Sequence, residues 1–283
     1  MIKIKNLFLL FSKFTRSLRR DGLTWTTVRI FLYLLKKPNE IQRAKIKILN
    51  ALLHKYNYTV AYGTFKGMKL NPNPWWSKND LVTQILNVYE NHVLEKLIHF
   101  SKKKKLDFIN IGAGDGYFAI GVAFAKMFEK VYAFDSSVIA QDRLRQNIEI
   151  NKCNDIIKIK GVANFESLKN IISNGNSAVI LIDIEGFEFE LLNEELLKCF
   201  SNCYVICELH PTLVLNGYEK QHQLISRSKN IFNSSIIQRE TYNPNQFIEL
   251  DQFSDEERLI AFGEGRNNNM KWLVLEPKSH LNN

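Results

Sequence analysis

From residue 106 onward, short apolar runs alternate with longer stretches of mixed character. The apolar runs fall at 106–112, 130–135, 156–162, 178–184 and 203–209, with a last one at 271–276. The stretches between them, 115–128, 137–151, 165–173, 187–198 and 218–231, are long enough for helices and read as such. "AVILI" (178–182) and "CYVIC" (203–207) are apolar throughout, the pattern of central strands covered on both faces. This alternation predicts right-handed crossovers, a mostly parallel sheet and an α/β fold.

Upstream the pattern is helical. Residues 6–20 predict a basic amphipathic helix, with Phe11, Phe14 and Leu18 on one face and Lys13, Arg16 and Arg20 on another. Two more helices are expected over 25–37, stopped by Pro38, and over 41–57. The alternating stretch 59–72, with two turn glycines, predicts a hairpin. "PNPWWS" then reads as a loop. A helix is expected from Asn79, with Leu81, Ile85, Val88 and Val93 near one stripe. The run 232–270 is less regular, apart from a short helix at 255–262 that Ser254 and Glu257 would cap. No internal repeat is present.

Charge divides the chain unevenly. The formal net charge is +9, yet residues 1–60 hold 13 Lys/Arg against 2 Asp/Glu, and the rest is slightly acidic. Basicity therefore belongs to the N-terminal segment, and the expected domains are a basic helical extension (1–57) and a catalytic domain (58–283). No stretch approaches the ~20 apolar residues that span a bilayer. "LFLLF" (7–11) is too short for the apolar region of a signal peptide. The expected location is cytoplasmic, with residues 1–37 contacting an anionic membrane face peripherally. Cys153, Cys199, Cys203 and Cys207 match no zinc spacing and read as reduced thiols.

The candidate chemistry starts at "INIGAGDGYFAIG" (109–121), where three glycines alternate between a strand and a helix. Gly112, Gly114 and Gly116 allow a turn tight enough for a ligand to lie against main chain. The helix start beyond them is expected to offer free N–H groups to an anionic group. Asp135 ends the next strand, 23 residues after Gly112, where an acid accepts both hydroxyls of a ribose. Together these describe an adenosine site. S-adenosylmethionine fits it. So does the relaxed dinucleotide fingerprint, counted from Gly114 to Ala119, although that frame leaves Gly112 unexplained.

Five segments carry a family resemblance in order: "FINIGAGDGYFAIG", "VYAFDSS", "LIDIEGFEFELL", "CELHP" and "KWLVLEP". They resemble the FkbM-like S-adenosylmethionine-dependent methyltransferases over roughly residues 60–277, with "YGTFKGMKL" and "VYENHV" as upstream companions. "DIEGFE" is the most telling piece, and it sets the dinucleotide reading aside. The resemblance implies a Rossmann-like class I sheet of seven strands, one reversed, and methyl transfer to oxygen on sugars or other metabolites. Cofactor contacts are then expected from Asn110, Gly112, Ala113, Gly114, Asp115, Gly116, Tyr117, Asp135 and Ser136. Asn164 would lie near adenine, with Glu90 and Asp183 near the methionyl end. Asn110 stands where the family usually has an acid, so Asp115 is a candidate to supply the missing carboxylate.

Two strands end in polar pairs, Asp183 with Glu185 and Glu208 with His210. In the implied sheet order they are neighbours. His210 is the candidate base that takes the acceptor's proton, with Asp183, Glu185 and Glu208 as catalytic companions. The same four could ligate magnesium or manganese, a reading placed second to base chemistry. The expected acceptor is a small molecule or saccharide. No nucleic-acid partner is expected, and a homo-oligomer is compatible. RNA methylation and a cofactor-binding scaffold without activity are the competing functions.

Overall fold

A computed structural model describes residues 38–75, 77–103, 106–172, 177–264, 266 and 270–278. The helices expected at 6–20 and 25–37 lie outside the described residues. The chain forms a seven-stranded sheet of β1 (Asp107–Ile111), β2 (Val131–Phe134), β3 (Ile157–Lys160), β4 (Ala178–Ile182), β5 (Tyr204–Leu209), β6 (Phe232–Gln238) and β7 (Lys271–Pro277). Their order is β3-β2-β1-β4-β5-β7-β6. β7 runs antiparallel to both its neighbours, and the other pairings are parallel. This is the doubly wound sheet with one reversed strand that the sequence led us to expect.

Period-two alternation divides each central strand between two cores. Phe108, Val179, Leu181, Ile206, Trp272 and Val274 face one core. Ile109, Ile180, Ile182, Cys207 and Leu273 face the other. The first face is covered by α1 (Glu40–Tyr56), α2 (Leu81–Ile85), α3 (Asn91–Ser101), α4 (Tyr117–Phe124) and α5 (Val138–Asn151). α6 (Phe165–Ile172), α7 (Glu188–Leu191), α8 (Glu194–Cys199) and α9 (Gly217–Lys229) cover the second. α10 (Asp255–Ala261) starts at Ser254, whose hydroxyl accepts the Glu257 N–H in the expected capping box. α1, assigned above to the extension, buries Ile48 and Leu52 in the first core. All four cysteines are free thiols.

Four expectations need correcting. The helix expected from Asn79 breaks between α2 and α3, because Asn87 (φ 56°) and Glu90 (φ 44°) take left-handed backbone conformations. The stretch 187–198 splits into α7 and α8, since Asn193 caps α8 by accepting the Leu196 N–H. The hairpin at 59–72 is a compact loop closed by the Thr59–Lys69 bridge rather than two strands. The seventh strand that the resemblance implies was not located in the pattern, and it is β6. Its sequence FNSSIIQ is mostly polar and it lies at the sheet edge, so its pairing with β7 rather than its own pattern makes it a strand.

Candidate active site

The parallel strands deliver their carboxyl ends to a cleft of about 800 Å³. That lies within the ~300–1,000 Å³ usual for small-ligand sites. Its walls come from the segments following β1 to β5, closed over by Trp75, Asp80, Tyr89, Glu264, Arg266 and Trp272. Asn110, Gly112, Ala113, Gly114, Asp115, Tyr117, Asp135, Ser136, Asp183, Glu185, Glu90 and His210 all line it.

One wall is the glycine loop. Gly112 (φ +83°) is pressed against β4, and a Cβ there would meet the Asp183 carbonyl oxygen at 1.8 Å. A Cβ on Gly116 would strike Leu144. Gly114 differs, because a Cβ there would meet nothing within 4 Å, so its bare face opens onto space. The loop's N–H groups are largely committed inside the protein. Gly112 and Ala113 donate to the Phe134 carbonyl, Gly116 to Ala113, and Gly114 to Asp135 Oδ2 at 2.8 Å. Free donors for an anion are therefore left to the first turn of α4, beyond these four positions, and the Asp135 carboxylate already engages the loop at Gly114.

Asp135 also accepts the Ser137 N–H through Oδ1, at 2.8 Å. Each oxygen has one main-chain donor and keeps further lone-pair capacity, which suits a vicinal diol. Asp115 is engaged elsewhere, accepting the Trp75 N–H at 2.6–2.7 Å and so tying residues 71–75 to the glycine loop. It is not free to replace the acid missing at Asn110, which is itself buried in the wall. Tyr117 is buried and packs edge-on against Tyr89, ring centroids 5.2 Å apart. Asn164 does not reach the cleft. Its Oδ1 accepts the Ser167 N–H at 2.9 Å and caps α6, while its neighbours Val162 and Ala163 line the wall. Helix capping is what an asparagine before a helix does best.

The opposite wall is acidic. The pairing of Leu181 with Ile206 runs on to set Asp183 beside Glu208. His210 Nε2 stands 3.5 Å from Asp183 Oδ1 and 3.8 Å from both Glu185 Oε2 and Glu208 Oε2. Its Nδ1 lies 3.4 Å from Glu188 Oε1, which also accepts the His210 N–H at 2.7 Å. Glu188 is fully buried, and its other oxygen accepts the Gly186 N–H. It locks the DIEGFE turn to the end of β5 and sets a carboxylate beside the imidazole. Asp183 Oδ1 and Glu208 Oε2 are buried without a hydrogen-bond donor. Burial pushes the Asp183 carboxyl up to about 6, a rise that His210 opposes and Glu185 reinforces. Burial raises Glu208 as well, and the Asp183 charge adds to it. Burial and their mutual charge thus shift both carboxyls upward beside one imidazole. Burial lowers the His210 pKa, but Glu188, Asp183 and Glu185 outweigh it, and the net shift is upward.

Two residues outside the sequence-derived set complete this wall. Glu188 stood in the quoted DIEGFE motif, and its burial was the signal that sequence could not show. Arg266 comes from the irregular 232–270 region and gave no signal. Its guanidinium bonds Glu90, Glu208 (2.6 Å) and Glu264 (3.1 Å) together, and all three carboxylates are buried. Glu208 is therefore a support beneath the cleft, tied to Arg266 and not part of the lining. Glu90 likewise lies buried against Arg266. Asp183, Glu185 and His210 together place three potential metal donors within 4.8 Å of one another.

No protein-family model matches the chain, and no curated protein does. Solved structures of similar fold exist. An O-methyltransferase from Bacillus cereus in complex with SAH shares 13% identity, covering 89% of this chain and 99% of its own, with a TM-score of 0.44. The precorrin-6y C5,15-methyltransferase of Geobacter metallireducens shares 9%, covering 76% and 100%, with a TM-score of 0.48. A human methyltransferase 10 domain containing protein shares 10%, covering 84% and 97%, with a TM-score of 0.45. At these identities and scores, the chemistry rests on the site itself.

Proposed function

We propose that this protein is an S-adenosylmethionine-dependent O-methyltransferase acting on a hydroxyl of a sugar, glycan or other small metabolite, of the FkbM-like kind. One observation carries the reading: a single cleft joins a main-chain nucleoside cradle with Asp135 to a wall formed by the buried His210 with Asp183 and Glu185. The residues fit the cofactor. Gly114 leaves room for a ligand, and Asp135 retains acceptor capacity for a ribose diol. Gly112 and Ala113 would lie beneath the nucleoside, and Asn110 and Asp183 would face its methionyl end. When bound, the cofactor supplies an electrophilic methyl group on sulfonium sulfur.

The chain's own residues supply placement and a proton acceptor. Asp183 and Glu185 can hold an acceptor hydroxyl by hydrogen bonds at the mouth of the acidic wall. His210 Nε2 takes the hydroxyl proton as the oxygen forms its bond to carbon, a contribution of roughly 10²–10⁴-fold. Glu188 at Nδ1 steadies the imidazolium that results. Positioning of the acceptor oxygen in line with the breaking bond supplies much of the remainder.

Calorimetry with S-adenosylhomocysteine and, separately, NAD tests the cofactor: heat from NAD alone would overturn the reading. For the base, His210→Ala should lower turnover about 100-fold or more while S-adenosylhomocysteine affinity stays within a few-fold. Unchanged turnover removes His210 from the chemistry. The spacing of Asp183, Glu185 and His210 favours a second reading of the same wall, as a magnesium or manganese site. Activity that survives EDTA supports proton transfer to the bare imidazole, and loss restored by either metal supports the metal.

A further inference from the structure

The rim of the cleft is apolar, although its inner wall is charged. Each parallel strand from β1 to β5 sends a segment to this edge; those after β2 to β5 carry exposed large apolar side chains, and Trp75 adds one beside the loop after β1. Trp75 (38% exposed) is tied to the loop after β1 through Asp115. Ile139 (57%) follows β2, Val162 (62%) follows β3 and Phe187 (52%) follows β4. Leu215 (85%) and Tyr218 (68%) follow β5. The segments carrying five of these six are uncharged: "NPNPWWS" at 71–77, "SSVIAQ" at 136–141, "GVANF" at 161–165 and "PTLVLNGY" at 211–218. In a chain with 24% charged residues, a ring of uncharged segments with outward-facing apolar side chains calls for a partner.

The N-terminal chain joins the body beside this edge. The description begins at Pro38, and two turns later the Lys45 ammonium bonds the Gly263 carbonyl. Lys45 also interacts with the carboxylates of Asp80 and Glu264, both in the cleft wall. Residues 1–37 carry nine Lys/Arg against one Asp. Anionic charge is the complement of that segment, and an apolar interior bounded by water is the complement of the rim. An anionic bilayer surface offers both at once, and Trp and Tyr are the rings that settle at such an interface.

We infer that the rim seats the mouth of the cleft on an anionic membrane surface, with residues 1–37 supplying the attraction and the rim the insertion. The cleft then opens toward the bilayer, and an acceptor carried on a lipid reaches it without leaving the membrane. This surface role does not depend on the methyl-transfer reading.

The test uses the full chain with phosphatidylcholine vesicles, with and without phosphatidylglycerol. Pelleting with the phosphatidylglycerol vesicles is expected, together with slower amide hydrogen exchange at 136–140 and 212–218. The triple variant Ile139→Ser, Leu215→Ser, Tyr218→Ser should lower the bound fraction about tenfold. All three side chains are more than half exposed, so its melting curve should match that of the unsubstituted chain. If the variant does not fold, exchange on the unsubstituted chain decides. Absence of pelleting overturns the inference. So does pelleting without protection at the rim, which would mean that residues 1–37 bind alone. A chain that is dimeric without vesicles, and monomeric as the triple variant, would make the rim an interface between copies and equally overturn it.

Discussion

On the β1–β2 side of the cleft the ligand-facing surface is main chain. Gly112, Ala113 and Gly114 spend their N–H groups within the protein, and Asp135 is held by the Gly114 and Ser137 N–H groups. On the β4–β5 side the surface is side chain. Six acids (Glu90, Asp183, Glu185, Glu188, Glu208, Glu264), one imidazole and one guanidinium are drawn from four separate segments. The first wall is preset by local backbone geometry and has little to titrate. The second exists only because distant segments meet, and its charges depend on one another. A cradle for a constant cofactor and a responsive wall for chemistry are thus built by different means.

Removal of the cation that joins the acidic wall should cost most. Arg266→Met leaves Glu90, Glu208 and Glu264 buried without their partner. A loss of about 3–4 kcal/mol in urea unfolding at neutral pH is expected. It should shrink in mild acid, where the raised carboxyls are protonated. An equal loss at both pH values would mean that packing, not charge, is what Arg266 supplies.

The cradle is tested by two glycines of opposite character. Gly112→Ala forces a methyl into the Asp183 carbonyl and a side chain onto a φ of +83°. About 3 kcal/mol of stability should go. Gly114→Ala meets open space and should cost only about 1 kcal/mol, from its left-handed backbone. It should nevertheless weaken S-adenosylhomocysteine binding in calorimetry. Similar stability for both variants would erase the distinction between a glycine required by the fold and one required by a ligand.

Proton linkage separates the walls further. Burial pushes Asp80 up to about 6 and Glu264 up to about 7. Unfolded carboxyls titrate near about 4. For such raised acids the stabilising contribution is complete below the unfolded value and is lost as pH rises through the folded one. Their share of stability should therefore fall between about pH 4 and pH 7. The double variant Asp80→Asn, Glu264→Gln should flatten the slope of the urea midpoint across that window, and an unchanged slope would assign it to other groups. The smallest effect is reserved for Asn164. Asn164→Ala removes a helix cap and should cost about 1 kcal/mol, with S-adenosylhomocysteine affinity unchanged. A clear loss of affinity would return that residue to the adenine site.

The two walls were not equally legible beforehand. Gly112, Gly114, Gly116 and Asp135 could be read directly, because a tight turn and a strand-end acid leave local marks. The break between α2 and α3 could not be read. Periodicity favoured a continuous helix, and the left-handed Asn87 and Glu90 appear only once Glu90 is drawn to Arg266. Glu208 illustrates the same limit. Its place at a strand end suggested catalysis, yet parity and depth set it under the cleft, against a guanidinium 58 residues away.

Sequence by itself determined the alternation of strands and helices, the glycine turn, the acid 23 residues beyond it and the uneven placement of charge. These follow from hydrophobic period and backbone freedom, which act over a few residues. Only the tertiary structure decided that Arg266 ties three acids together, that Glu188 stands against His210, and that Asp115 and Asn164 serve the scaffold. Those outcomes depend on which distant segments share a buried volume, where an unpartnered charge is too costly to leave.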